Sequence, residues 1–157
     1  AARIHAIAVD KGPLPRNVLE LMLAKQHGFA STGKRIREVI ADCLGEVEIH
    51  DEFGRAFVWA TGTHAARIPW RGRQDRLITD ISRHEWASLL DQHADALRMA
   101  TNPAREIAAI AGLRNRTAAI NQHLEELHAW WQVSVAREED SDSPGQARII
   151  PASSASA

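Results

Sequence analysis

The chain has 157 residues, of which 45% are hydrophobic and 25% charged, proportions that suit one globular domain or two very small ones and exclude a wholly disordered or fibrous protein. Its one cysteine, Cys43, excludes an internal disulfide and a thiolate metal cage, and no apolar run approaches the roughly 20 residues that span a bilayer. The opening Ala-Ala-Arg-Ile-His lacks the apolar block of a secretory signal, so a soluble, cytoplasmic protein with no membrane contact is expected. The chain starts without methionine inside a helical pattern, which suggests a piece of a longer polypeptide. The net charge of −1 is unevenly spread: residues 138–157 carry −3 and the preceding body +2. That mild balance does not describe a strongly basic binding domain.

Residues 3–9 present Ile4, Ile7 and Ala8 on one side of a short helix that ends at Asp10-Lys11-Gly12-Pro13. Helix resumes near Pro15, whose fixed φ suits a first turn, and Leu19, Met22, Leu23 and Gln26 follow the i, i+3, i+4, i+7 ladder up to Gly28. A third helix is expected from Ser31 or Thr32, either of which can cap it, with Ile36, Val39, Ile40, Cys43 and Leu44 on a buried face. Two β-prone runs, 46–50 and 55–60, flank Asp51-Glu52-Phe53-Gly54, the composition of a four-residue hairpin loop. Three helices followed by a hairpin is the order of a winged helix.

Residues 61–76 read as an extended connection carrying Arg67, Arg71, Arg73 and Arg76 around Trp70, with a strand around Ile68. This basic, aromatic segment is expected to pack with Trp70 over the junction between the halves, its alternative being to stack a base. Ser82 and Glu85 form a capping-box pattern before a helix through Trp86, Leu89, Leu90, His93 and Leu97. Asn102-Pro103 opens a helix that Gly112 closes, and a last helix from about Asn115 carries Ile120, Leu124, Leu127 and Trp131 as its core stripe. The tail 138–157, acidic and then rich in Ser and Ala, is expected to be disordered. A shift of 84 residues aligns 28–44 with 112–128, matching Gly28 with Gly112, Ile36 with Ile120 and Ile40 with Leu124. The shared order of helix, glycine stop, apolar plug, polar turn and helix is that of a helix-turn-helix used twice. The expected fold is therefore mostly α. A winged helix-turn-helix unit with a small hairpin spans 1–60 and a connection 61–76, followed by a second, helical helix-turn-helix-like unit over 77–137.

No catalytic site can be assembled. Ala-Ser-Thr-Gly-Lys-Arg-Ile lacks the first glycine and the hydroxyl after lysine that a phosphate-binding loop needs. The eight histidines show no i, i+4 pair for a metal, and Asp91 with Asp95 at that spacing reads as a solvated helix face. No cofactor or metal is called for. The remaining signal is cationic: Ser31, Thr32, Lys34, Arg35 and Arg37 cluster at the start of the third helix, where free amides and the helix dipole favour phosphate. In a helix-turn-helix this helix enters the major groove. Arg55 in the hairpin stands where a wing touches the backbone, and Arg114, Asn115 and Arg116 occupy the equivalent turn of the second unit. The competing reading is a solvated face with Lys34 paired to Glu38.

The stretch IHAIAVDKGPLPRNVLELMLAKQHGFASTGKRIREVI, above all its Gly28, Phe29, Thr32, Gly33, Arg35, Ile36 and Arg37, resembles a domain of uncharacterised function near the C-terminus of large bacterial superfamily 1 helicase-like proteins. Ser31 stands where that pattern commonly has arginine. A looser likeness continues through Phe57-Val58-Trp59 and the segment 78–85. The resemblance implies an accessory module of a nucleic-acid-processing machine, attached to a larger helicase-like polypeptide. The expected function is non-catalytic binding of nucleic acid, duplex DNA in the first instance, by phosphate contacts. Its alternative is a protein-interaction or oligomerisation module in which the tryptophan-rich second half makes the contact.

Overall fold

The computed structural model describes residues 1–64 and 66–141, with side chains to residue 137. Among these residues are seven helices and a small three-stranded antiparallel sheet of order β1-β3-β2. Helix α1 (Ala2–Lys11) buries Ile4, Ile7 and Ala8, as its spacing requires. It stops at Gly12, whose N–H donates to the Ala8 carbonyl at 3.0 Å. A Cβ on Gly12 would lie 2.2 Å from that carbonyl oxygen, so the close turn demands glycine. Strand β1 (Leu14–Pro15) pairs with Val58 and Phe57. Sequence alternation gives no sign of so short a strand, and its proline is tolerated because the strand lies at an edge.

Helix α2 (Arg16–Gln26) buries Leu19, Glu20, Leu23 and Ala24, with Arg16 held on Glu20 at 2.9 Å. Helix α3 (Lys34–Asp42) starts later than expected: Gly33, not Ser31 or Thr32, is its N-cap, and no side chain caps it. Only part of its apolar stripe is buried. Ile40 and, in the short 3-10 turn that follows, Leu44 enter the core, Ile36 and Cys43 are half-buried, and Val39 is 59% exposed. The expectation that Val39 faces inward fails because α3 packs along one edge of the unit and no described element covers its outer flank.

Strands β2 (Val47–Glu52) and β3 (Arg55–Ala60) form a tighter hairpin than the four-residue loop expected. Glu52 pairs with Arg55, leaving two loop residues, Phe53 and Gly54, at φ 55° and 75°. Two positive φ values are what a two-residue turn needs to follow the strand twist. Central strand β3 buries Phe57, Val58, Trp59 and Ala60 in succession.

No strand forms around Ile68, contrary to expectation. The second half contains α4 (Arg83–Gln92), α5 (Ala94–Met99), α6 (Pro103–Ile110) and α7 (Ala118–Ser141). The expected single helix through Leu97 breaks at His93, which leaves helical geometry at φ −118° and ψ 20°. The last helix starts at Ala118 rather than Asn115, with the Thr117 hydroxyl accepting from the Ile120 N–H at 3.2 Å. It runs on to Ser141, so the start of the expected disordered tail is helical; the rest, from 142, lies outside the described residues.

Two cores result. Ile4, Ile7, Leu19, Leu23, Ile40 and Val58 anchor the first, and Trp86, Leu90, Ile107, Leu124, Leu127 and Trp131 the second. The two segments that the 84-residue shift aligns share local features. Gly28 and Gly112 both take left-handed backbone, φ 82° and 69°. The next N–H, of Phe29 or Leu113, reaches back to Ala24 O at 2.9 Å or Ala108 O at 2.8 Å, which satisfies an end carbonyl. Helices α3 and α7 each begin six residues after their glycine.

Candidate nucleic-acid interface

The turn between α2 and α3 brings Ser31, Thr32, Lys34, Arg35 and Arg37 onto one exposed end of α3. All are exposed except Thr32, which is half-buried. The competing pairing is present but loose, with Lys34 Nζ 3.8 Å from Glu38 Oε1 and both side chains open to water. Arg37 Nη1 donates to the Thr32 carbonyl at 3.4 Å, which draws its guanidinium back over the turn. Three cations thus sit at a helix end whose first amides receive no side-chain cap, an arrangement that favours an anion.

Arg55 does not join them. Its guanidinium reaches Asp80 Oδ1 at 2.5 Å, Thr79 Oγ1 at 3.1 Å and Asn17 Oδ1 at 3.3 Å. The hairpin tip is likewise engaged, the Phe53 ring meeting His123 of α7 edge-on at 5.6 Å. The hairpin therefore clamps the two units together instead of standing free as a wing. Arg114, Asn115 and Arg116 are exposed on the turn before α7. Arg114 and Asn115 share a cleft of about 780 Å³ with Arg73 and Thr79, its lining about half apolar through Leu77, Ile78, Leu113 and Ile120.

The other arginines of the connection are structural. Glu85 is fully buried, and its carboxylate accepts from the Arg71 backbone N–H, from Arg71 Nε and Nη2, and from both terminal nitrogens of Arg76, at 2.6–3.1 Å. Burial alone pushes this carboxyl upward, but the hydrogen bonds from Arg76 and Arg71 outweigh it and hold it below its ordinary value. Arg71 Nη1 also donates to the Lys11 and Gly12 carbonyls, which ties α1 to the second unit. Arg67 pairs with Asp91 at 3.5 Å, and Asp91 accepts from Trp131 Nε1 at 2.8 Å, while Asp95 pairs with Arg98, so the two aspartates share nothing. Trp70 packs against Trp86 with ring centroids 4.9 Å apart. Of the five tryptophans, Trp59, Trp86 and Trp131 are buried and Trp70 and Trp130 half-buried.

Sequence reasoning missed two further clusters. Ser82 does cap α4, accepting from the His84 N–H at 3.2 Å, but Glu85 does not complete the box. Glu52 supplies the second carboxylate from the hairpin, accepting from Ser82 Oγ, the Arg83 N–H and Trp59 Nε1. Burial raises its pKa against those donors. Beside it, His50 and His64 stack at 3.4 Å, and His64 and Trp130 each meet His84 edge-on. Burial, with Arg83 and the neighbouring rings, lowers the pKa of His84 to about 4, and burial likewise lowers that of His64. Among the described residues no group of three or more His, Cys, Asp or Glu side chains could hold a metal ion. None of their helices is long and apolar enough to cross a membrane. No family model, curated protein or solved structure matches the chain.

Proposed function

We propose that the chain is a non-catalytic nucleic-acid-binding module that grips phosphates of duplex DNA through the first turn of α3. The observation that carries this reading is the cluster of Lys34, Arg35 and Arg37 at an exposed helix start that no side chain caps. The order helix, strand, two helices and hairpin, with a β1-β3-β2 sheet, supports a winged-helix assignment of residues 1–60, and α3 is then the helix that meets the groove. The engagement of Arg55 and Phe53 supports a contact through α3 rather than through a wing. Arg114 and Arg116, with Arg73 alongside Arg114, offer a second phosphate contact. Together with the resemblance of residues 4–40 to the helicase-associated domain, this describes a cytoplasmic accessory part of a helicase-like polypeptide that positions the machine by backbone contacts rather than base readout. Titrating a labelled duplex with the protein at low salt tests it: binding that weakens steeply as salt rises is expected, and no binding overturns it.

A second reading, a protein-interaction module on the same scaffold, is favoured by one observation. The flank of α3 beside those cations is apolar and open, with Phe29 53% and Val39 59% exposed.

A further inference from the structure

Among the described residues, α1, α2 and α3 form an open apolar groove in the first unit. It has a volume of about 560 Å³. Ile4 of α1, Leu23 of α2, and Ile36, Val39 and Ile40 of α3 line it together with Phe29 of the turn. Leu23, Ile4 and Ile40 belong to the core, so the surface runs without a break from the interior to the exposed Phe29 and Val39. Among the described residues its charged lining side chains are Arg3 and Arg35, and no carboxylate lines it.

We infer that this groove is a docking site for an amphipathic helix of a partner protein whose apolar face is flanked by carboxylates. The inference rests on the second reading above. The second unit carries the same stripe. Ile36, Ile40 and Cys43 recur there 84 residues on as Ile120, Leu124 and Leu127, and that stripe packs into the core that Trp86, Leu89 and Leu90 of α4 supply. In the first unit the corresponding Ile36, Ile40 and Cys43 meet their own core, and what stays open among the described residues is the flank beside them, with Phe29 and Val39 exposed.

Charge selects the flanks. Arg3 and Arg35 stand on opposite walls, on α1 and α3, so a helix with acidic residues beside its apolar face meets a cation on each side. A second copy of this chain is disfavoured by the same residues. A two-fold contact sets identical patches face to face and would bring these arginines against each other. A small apolar molecule is disfavoured by openness, since such ligands bind where about 70–90% of their surface is enclosed. Duplex DNA gains nothing from an apolar floor.

The test uses a labelled synthetic helical peptide with leucines at i, i+3, i+4 and i+7 and glutamates flanking them, beside the same peptide with lysines in place of the glutamates. Binding is read by anisotropy and by the rate at which a thiol reagent modifies Cys43, the sole cysteine, which lines the groove. The acidic peptide should bind, slow that reaction, and outcompete the lysine peptide. Combining Phe29→Ser with Val39→Asn should weaken it about tenfold or more while leaving the thermal transition in place, because both side chains are more than half exposed. Arg3→Glu should narrow or reverse the preference between peptides. Equal binding of both peptides, no effect of the double variant, or no binding at millimolar peptide overturns the inference. So does a concentration-dependent dimer that the double variant abolishes, which would make a second copy the occupant. Duplex binding is measured separately on the same protein, so a failed phosphate contact and a failed groove give different results.

Discussion

Replacing Glu85 by glutamine keeps the shape of the side chain and removes the charge that pairs with Arg71 and Arg76. The carboxylate is fully buried and takes five N–H donors, four of them from guanidinium groups. Removing one partner of a buried pair costs roughly 3–5 kcal/mol. The arginine side chains keep 35% and 24% of their exposure and regain some hydration, so the lower end, about 3 kcal/mol, is expected. Urea unfolding at pH 7 measures it. The pH dependence supplies a second check. The folded carboxyl titrates below its ordinary value, so its stabilisation is complete above the unfolded value of 4.5 and is lost as pH falls through the lower folded value. The gap between wild type and variant should therefore shrink toward pH 3. A gap below about 1 kcal/mol at pH 7, or one that stays constant down to pH 3, would refute the view that Glu85 is a charged clamp.

Four other outcomes follow from single side chains. Gly12→Ala should lower stability by about 1–3 kcal/mol by urea unfolding, because its Cβ would collide with the Ala8 carbonyl oxygen at 2.2 Å. Ile40→Asp should remove roughly 4 kcal/mol and abolish the thermal transition of the first unit, since a carboxylate there is buried without a partner. Arg55→Ala should lower the melting temperature by removing the Asp80 pair yet leave duplex affinity unchanged, a contrast that thermal melting and anisotropy read separately. His84 is held neutral, its pKa pushed from 6.5 to about 4, so its contribution is full above 6.5 and lost as pH falls through 4. His84→Gln should flatten the decline of stability over that interval by about 3 kcal/mol, followed by urea unfolding at stepped pH.

What the sequence made legible was local. Leu19 with Leu23, Ile107 at i+4 from Pro103, and Leu124, Leu127 and Trp131 fall on inward faces because helical periodicity is a property of a dozen neighbouring residues. Gly28 and Gly112 end their helices because only glycine enters left-handed backbone freely, and the 84-residue shift that aligns them also aligns the ends of α2 with α6 and the starts of α3 with α7. What stayed hidden depends on partners far along the chain. Arg55 reads as a free wing cation until Asn17, 38 residues away, and Asp80 are folded against it. Arg71 and Arg76 read as a basic patch until Glu85 turns inward. Val39 fits the helical stripe as well as Ile40 does, and only the absence of a packed neighbour on its flank among the described residues separates an exposed valine from a buried isoleucine. At the candidate interface, the clustering of Lys34, Arg35 and Arg37 was readable because all three lie within one helical turn.

The salt dependence of duplex binding by the variant with Lys34, Arg35 and Arg37 all changed to alanine tests the central claim most directly. All three side chains are exposed, so Ile40 and the rest of the core stay intact and the variant should melt as the wild type does. On B-form DNA, every phosphate that a cation no longer neutralises reduces the slope of log affinity against log salt by about 0.9. The wild type should bind a short duplex at low salt, and the triple variant should bind much more weakly, with a slope smaller by about 2–3 units. A folded variant whose affinity and slope match the wild type, or a wild type that binds no duplex at low ionic strength, would contradict the assignment of α3 as the phosphate-gripping helix.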